Sequence, residues 1–172
     1  IKIAPGTYTE DSNVAMKDYV DVEGSGQDVT TINCACSSNG FGASAAVISA
    51  TGVTAEIRHL TINNTGGSNK FSFGVYTNGV TDESFSINNV TATAIVTVGG
   101  EGATSLGVYN KSSSPTMTNV TATATDGDET NGVYNYSSSS PTMTNVTATA
   151  TGGTFNRGVS NDSSSSPSMN NV

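Results

Sequence analysis

Residues 107–125 read GVYNKSSSPTMTNVTATAT, residues 132–151 read GVYNYSSSSPTMTNVTATAT, and residues 158–172 read GVSNDSSSSPSMNNV. Pro115, Pro141 and Pro167 recur at equal intervals, as do Met117, Met143 and Met169, and Val120, Val146 and Val172. The pattern continues upstream in weaker form. Ile87 and Val90 precede Met117 and Val120 by a slightly longer interval, and Ile57 and Leu60 precede Ile87 and Val90 by that same longer interval. The added residues fit longer loops between coils, such as 94–105. A period in this range, with insertions confined to one place, marks a solenoid, in which no single unit buries its own apolar face.

Alternation of side chains places the strands within one repeat. Over 116–125, Met117, Val120, Ala122 and Ala124 point inward. Thr121, Thr123 and Thr125 then point outward, as do Thr147, Thr149 and Thr151 one repeat later, with Thr91 and Thr93 continuing the array upstream until Ile95 breaks it. Asn119 interrupts the alternation and marks a sharp bend, because Asn tolerates left-handed backbone. A second strand over 107–110 puts Val108 inward and Tyr109 outward, and the serine run with Pro115 forms the corner between the two. The expected fold is an all-β parallel β-helix of about 26 residues per coil with three short strands per coil. Coils stack at the ~4.8 Å spacing of paired strands.

The chain reads as a single β-helix domain: N-terminal coils over 1–45, irregular coils with longer loops over 46–106, and regular repeats over 107–172. The last repeat stops in mid-coil, which would leave apolar side chains and strand edges open. The expectation is a piece of a longer chain, or one protomer of a head-to-tail assembly with itself as partner.

Composition agrees with many strands and turns. Apolar residues make up 34% and charged residues 12%, and low charge argues against disorder. Net charge is −8 with six Lys and Arg, so a nucleic-acid partner is not expected. No apolar run approaches the length of a membrane span. Cys34 and Cys36 are two apart, and a bridge between such near neighbours in a strand is geometrically awkward. They are expected to be two small core residues, not half a metal site.

Asn89, Asn119, Asn145 and Asn171 recur at one corner, and His59 takes that corner in the preceding coil. Side-chain amides stacked this way are expected to hydrogen-bond as a buried ladder. The only histidine is then a structural rung. Several Asn-x-Ser/Thr sequons arise from the repeat, and Asn110, Asn135 and Asn161 are the expected acceptors if glycans are added.

These residues resemble the pectin lyase-like superfamily of right-handed parallel β-helices, in which corner asparagine ladders occur. Residues 1–10, IKIAPGTYTE, with Val22-Glu23-Gly24-Ser25-Gly26 and Thr31-Ile32, are similar to the first coils of pectin methylesterases and related polysaccharide-acting proteins. The later Ser-Pro-Thr-Met-Thr-Asn-Val repeats resemble Thr/Asn-rich repeats of bacterial exported and surface proteins. The resemblance implies a right-handed fold and an extracellular or cell-surface location. It leaves function open, because this fold hosts many activities.

The chemistry the resemblance implies is not legible. Pectin methylesterases use two Asp and an Arg on one sheet with Gln residues at an oxyanion site; those motifs are missing, and Arg58 is the only arginine before Arg157. Pectate lyases use a calcium cluster of Asp with a basic residue, and here the acids are scattered. Asp126, Asp128 and Glu129 form the one acidic turn, with oxygen ligands of the type Ca²⁺ takes. The matching loop one repeat later has no acids, so a solvated loop and no cofactor are expected. Tyr76, Tyr109 and Tyr134 form an outward column that stacks on itself or contacts extracellular glycan.

Three readings follow. The first is a non-enzymatic extracellular β-helix acting as a stalk, adhesin or filament-forming surface protein with glycan contact. The second is a polysaccharide-active enzyme fragment whose active coils lie outside these residues, which an Asp–Arg or Asp–Lys cluster on one face of the folded coils would favour. The third is an ice-binding protein whose outward Thr array resembles the faces of β-helical antifreeze proteins.

Overall fold

The computed structural model describes residues 1–172. The strands are β1 (Gly6–Glu10), β2 (Val14–Ala15), β3 (Val22–Glu23), β4 (Thr30–Cys34), β5 (Ala46–Thr51), β6 (Ala55–Asn64), β7 (Phe71–Asn78), β8 (Phe85–Ile95), β9 (Thr104–Lys111), β10 (Thr116–Tyr136), β11 (Thr142–Asn161) and β12 (Ser168–Asn170). A single 3₁₀ turn, Ala43–Ala45, precedes β5. One wall stacks β1-β4-β6-β8-β10 and the other β10-β9-β7-β5-β2, with β11 and β12 continuing beyond β10. Strand pairs are parallel throughout. The result is a β-solenoid of about six turns of roughly 27 residues.

The register follows the repeat. Met117 pairs with Met143 on one side and Ile87 on the other, and Ile57 pairs with Ile87. Leu60, Val90, Val120 and Val146 form the next column. The upstream insertions fall outside the ladder: residues 96–103 loop out between β8 and β9. In the following coil that gap closes. β10 runs through two corners, at Asn119 (φ 52°) and at Asp126-Gly127 (φ 57° and 119°). Those corners divide it into three extended segments, 116–118, 120–125 and 129–136.

The lumen is thin and lined mainly by apolar side chains. Ile57, Leu60, Ile87, Met117, Val108, Val133 and Met143 are fully buried in one cluster. Each such side chain contributes on the order of 1.5–3 kcal/mol. The Gly107 position explains the recurrent Gly-Val. A β-carbon there would lie 2.6 Å from the Gly132 carbonyl oxygen and 2.8 Å from the Thr123 nitrogen, so the opposing walls approach too closely for any side chain.

Two asparagine ladders exist, and their burial is the reverse of the sequence expectation. At the corner, Asn119 donates to Asn89 (2.9 Å), Asn145 to Asn119 (3.0 Å) and Asn171 to Asn145 (2.8 Å), but this chain is solvent-exposed. The buried ladder runs inside the lumen. Thr77 donates to Asn110 (2.8 Å), Asn110 to Asn135 (2.9 Å) and Asn135 to Asn161 (2.8 Å). Asn110 and Asn135 are 0% exposed, which removes them as glycan acceptors. The reason is alternation: Val108 and Asn110 are two apart, so both face inward. The serine corner forms a third ladder, in which the Ser113 and Ser139 amides donate to the hydroxyls of Ser139 (3.0 Å) and Ser165 (3.1 Å).

The cysteines also depart from expectation. Both are buried, but they are bonded to each other, with Cα atoms 5.1 Å apart. β4 ends at Cys34, so the chain is no longer extended at Cys36 and the side chains can meet. Two extended residues would hold the Cα atoms about 6.6 Å apart. The Asn64 amide donates to the Cys36 and Phe73 carbonyls (both 2.8 Å), tying this segment to the next coil.

Candidate functional site

Each coil presents three outer walls, and the residues with chemistry sort onto them by register. The wall of segment 129–136 carries the tyrosines. Tyr76 pairs with Tyr109 and Tyr109 with Tyr134, pointing away from the lumen. They are not a free column, however: Tyr76, Tyr109 and Tyr134 are 4%, 2% and 9% exposed. The segment holding Phe41 and the 3₁₀ turn folds over the upstream half of this wall. There Ala45, Ala46, Phe73 and Leu106 join the tyrosines in a second apolar cluster.

The downstream half stays open. Phe41, Tyr109, Lys111, Tyr134 and Tyr136 line a groove of about 360 Å³. Tyr109 and Tyr134 stack with centroids 5.4 Å apart and planes 16° apart. Tyr136 lies 5.8 Å from Tyr134, and Phe41 lies 6.0 Å edge-on from Tyr109. The Tyr134 hydroxyl donates to Asp162 at 3.4 Å. Burial, reinforced by the Asp162 and Glu129 charges, pushes the Tyr134 hydroxyl up to about 12. Burial also raises Tyr109 and Tyr76. The Tyr109 and Tyr134 phenols of the groove therefore stay neutral at ordinary pH.

The wall of segment 116–118 carries charge only at its upstream end. Glu23 pairs with Arg58 and Arg58 with Asn88 in one column. Arg58 bonds Glu56 and also contacts Glu23 (3.1 Å) and Asp21 (3.8 Å). Asn88 donates to Glu56. The hydrogen bond from Arg58 holds the Glu23 carboxyl below its ordinary value. For Glu56, partial burial pushes upward, and hydrogen bonds from Asn88 and Arg58 outweigh it, leaving that carboxyl lowered as well. Tyr19, 81% exposed, stands beside Asp21 and Glu56 at the rim of an adjoining cleft of about 370 Å³. Long-range pairing across a whole coil assembles this cluster, so the sequence shows only scattered acids.

The wall of segment 120–125 carries the threonines. One column is Thr7, Thr31, Thr61, Thr91, Thr121 and Thr147; the next is Thr9, Asn33, Asn63, Thr93, Thr123 and Thr149. Ile95 interrupts only the outermost column, where it pairs with Thr125, followed by Thr151.

The remaining expected residues are dispersed. His59 adopts the left-handed backbone of the corner (φ 57°) but lines a cleft with Lys2 and Glu23, while the side-chain ladder starts at Asn89. Asp128 accepts from the Gly102 amide (3.1 Å), and Glu129 turns away to Arg157 (3.0 Å). Asp126 faces a cleft with Glu101 and Asp128 that Glu129 does not line, so the three carboxylates of the acidic turn do not converge on one point. Lys111 and Tyr136 were readable as groove residues, because each lies two residues past a column tyrosine. Phe41 was not, since its arrival depends on how a loop folds.

The sequence matches no family model and no curated protein. The fold is similar to a solved pectin methylesterase from Yersinia enterocolitica, at 15% identity and a TM-score of 0.56, over 85% of this chain and 48% of that one. It is also similar to a pectin methylesterase solved in complex with hexasaccharide VII, at 11% identity and a TM-score of 0.51, over 84% of this chain and 55% of that one. The chain thus spans about half the length of these solved structures. At such identity the likeness establishes the fold alone, a right-handed parallel β-helix.

Proposed function

We propose that this chain is an extracellular, non-catalytic β-helix that binds polysaccharide along the aromatic groove of its outer wall. The carrying observation is the groove in which exposed Phe41 and half-buried Tyr136 stand over the buried rings of Tyr109 and Tyr134, with Lys111 at its edge. Aromatic faces offer apolar platforms to the C–H faces of sugar rings, and the phenol and ammonium groups fix orientation. The rings are already packed against one another, so little side-chain freedom is lost on binding. The buried Cys34–Cys36 bridge suits an oxidising, exported setting.

A second reading is a polysaccharide-active enzyme. Asp21, Glu23, Glu56 and Arg58 do share one face, and the similar solved structures are pectin methylesterases. Against it, Arg58 and Asn88 engage these carboxyls and lower Glu23 and Glu56. A general acid needs the opposite shift. The cluster is better suited to bracing three successive coils.

Affinity electrophoresis through gels containing soluble plant and bacterial polysaccharides tests both. Retardation should occur with at least one polysaccharide and should be lost in Tyr136→Ala. Release of methanol or reducing ends that disappears in Glu56→Gln would favour the enzyme instead. No retardation by any polysaccharide would remove the groove reading.

A further inference from the structure

We propose that the paired Thr/Asn columns on the wall of segment 120–125 form an ice-binding surface. This wall is separate from the aromatic groove and from the acid–Arg cluster. Its twelve positions run unbroken from Thr7 and Thr9 to Thr147 and Thr149 over six rungs. Neighbouring rungs are ~4.8 Å apart, and the two columns are about 6.6 Å apart along the strand. The array is therefore a regular two-dimensional lattice about 24 Å long.

Three properties suit such a lattice to ordered water. First, it is free of charge. The chain has 14 Asp and Glu and six Lys and Arg, and none falls in the twelve positions. A charged side chain would impose its own hydration shell on the surface.

Second, most hydroxyls are unspent. Thr61 bonds the Gln27 carbonyl, Thr93 bonds Asn63 (2.6 Å), and Asn63 bonds Asn33 (3.1 Å). The Thr91, Thr121, Thr123, Thr147 and Thr149 side chains have no protein partner and none is buried. Each presents a hydroxyl and a methyl to solvent.

Third, the array is pre-ordered. Threonine is stiff at χ1, so hydroxyls and methyls keep fixed rows. The backbone beneath is locked in a continuous parallel ladder. The exposed Asn89–Asn171 ladder runs along one edge, a device that keeps a stacked sheet from twisting. A surface ordered in advance does not lose that freedom when it meets a rigid lattice. The alternative occupant, a crystalline polysaccharide, finds no aromatic platform among the twelve residues.

The test is partitioning into a slowly growing ice shell, with ice-recrystallisation inhibition measured on the same samples. The wild-type chain should be enriched in the ice fraction and should keep crystals small. Thr123→Tyr, on the fifth of the six rungs and among the unspent threonines, should lose both activities with an unchanged circular-dichroism melt. Thr149→Lys, on the exposed last full rung, provides the same loss at a site with few packing demands. Thr118→Tyr, across the corner on another wall, and Tyr136→Ala, in the groove, should retain ice partitioning. Exclusion of wild type from ice would overturn the proposal. So would equal partitioning of wild type and both array variants, or adsorption to crystalline cellulose or chitin without ice enrichment.

Discussion

The two asparagine ladders make a quantitative contrast that one pair of substitutions resolves. Asn110→Ala removes the acceptor of the Thr77 hydroxyl (2.8 Å) and the donor to Asn135 (2.9 Å), and both partners are 0% exposed. It also removes the weak contact of the Asn110 amide with the Met117 sulfur at 3.8 Å. Leaving buried polar partners unpaired costs about 1–3 kcal/mol each. With two partners affected, the expected loss is about 2–6 kcal/mol. For a chain of this size that corresponds to about 4–24 °C in Tm.

Asn119→Ala breaks two bonds of similar length, to Asn89 (2.9 Å) and from Asn145 (3.0 Å), but water reaches both partners. The hydrogen bonds then contribute about 1 kcal/mol together. A further ~1 kcal/mol comes from placing Ala in the left-handed backbone that Asn119 adopts. Asn119→Gly should recover that conformational part. Thermal and urea unfolding by circular dichroism would rank the variants, and amide exchange would localise the damage, since a solenoid is stabilised coil by coil. The expected order is Asn110→Ala well below Asn119→Ala, with Asn119→Gly nearest wild type. An Asn119→Ala loss equal to or larger than that of Asn110→Ala would refute the assignment of the lumen ladder as the buried one.

The tyrosine wall should make the fold alkali-sensitive. Tyr134 is raised from 10.0 to about 12, so its stabilising effect is complete below pH 10 and is lost as pH rises toward 12. Melting at about pH 9 and about pH 11 should differ, and less so in Tyr134→Phe. The acid–Arg cluster acts at the other extreme. Glu23 and Glu56 are lowered from 4.5, so their contribution is present above that value and fades as pH falls through the folded-state values. In Arg58→Ala the stability at neutral pH should drop, while the further loss between about pH 5 and pH 3 should shrink; an unchanged acid profile would show that Arg58 does not hold these carboxylates. Reduction of Cys34–Cys36, whose closed loop is very short, should cost only about 1.5 kcal/mol, read as a small Tm shift with and without reductant. Collapse of the fold on reduction would contradict that estimate.

Most of the architecture was legible because a solenoid repeats its reasons. Met117, Val120, Ala122 and Ala124 alternate, have counterparts one repeat later, and are buried where alternation put them. Asn119, Asn145 and the left-handed corner were readable for the same reason. Burial was harder. Asn110 looked like a surface residue by type, although its spacing from Val108 put it in the lumen. The threonine array was visible over its last coils, but Thr7, Thr31 and Thr61 joined it only when the register across the irregular coils was set. Loop-borne features were not legible. Phe41 reaches Tyr109 from a loop far back in the chain, and Arg58 gathers Asp21, Glu23 and Glu56 through pairing across a coil. Neither arrangement leaves a periodic trace.

For the proposed contact between the tyrosine groove and sugar, the chain has a built-in reporter. It holds six tyrosines and no tryptophan, and Tyr109, Tyr134 and Tyr136 all line the groove. Intrinsic tyrosine fluorescence titrated with the polysaccharide that retards the chain measures the contact directly. The expected result is a saturable change in emission, present in wild type and in Tyr19→Phe and absent in Tyr136→Ala. An emission unchanged at saturating polysaccharide, or a change of equal size in Tyr136→Ala, would contradict the assignment of the groove as the binding site.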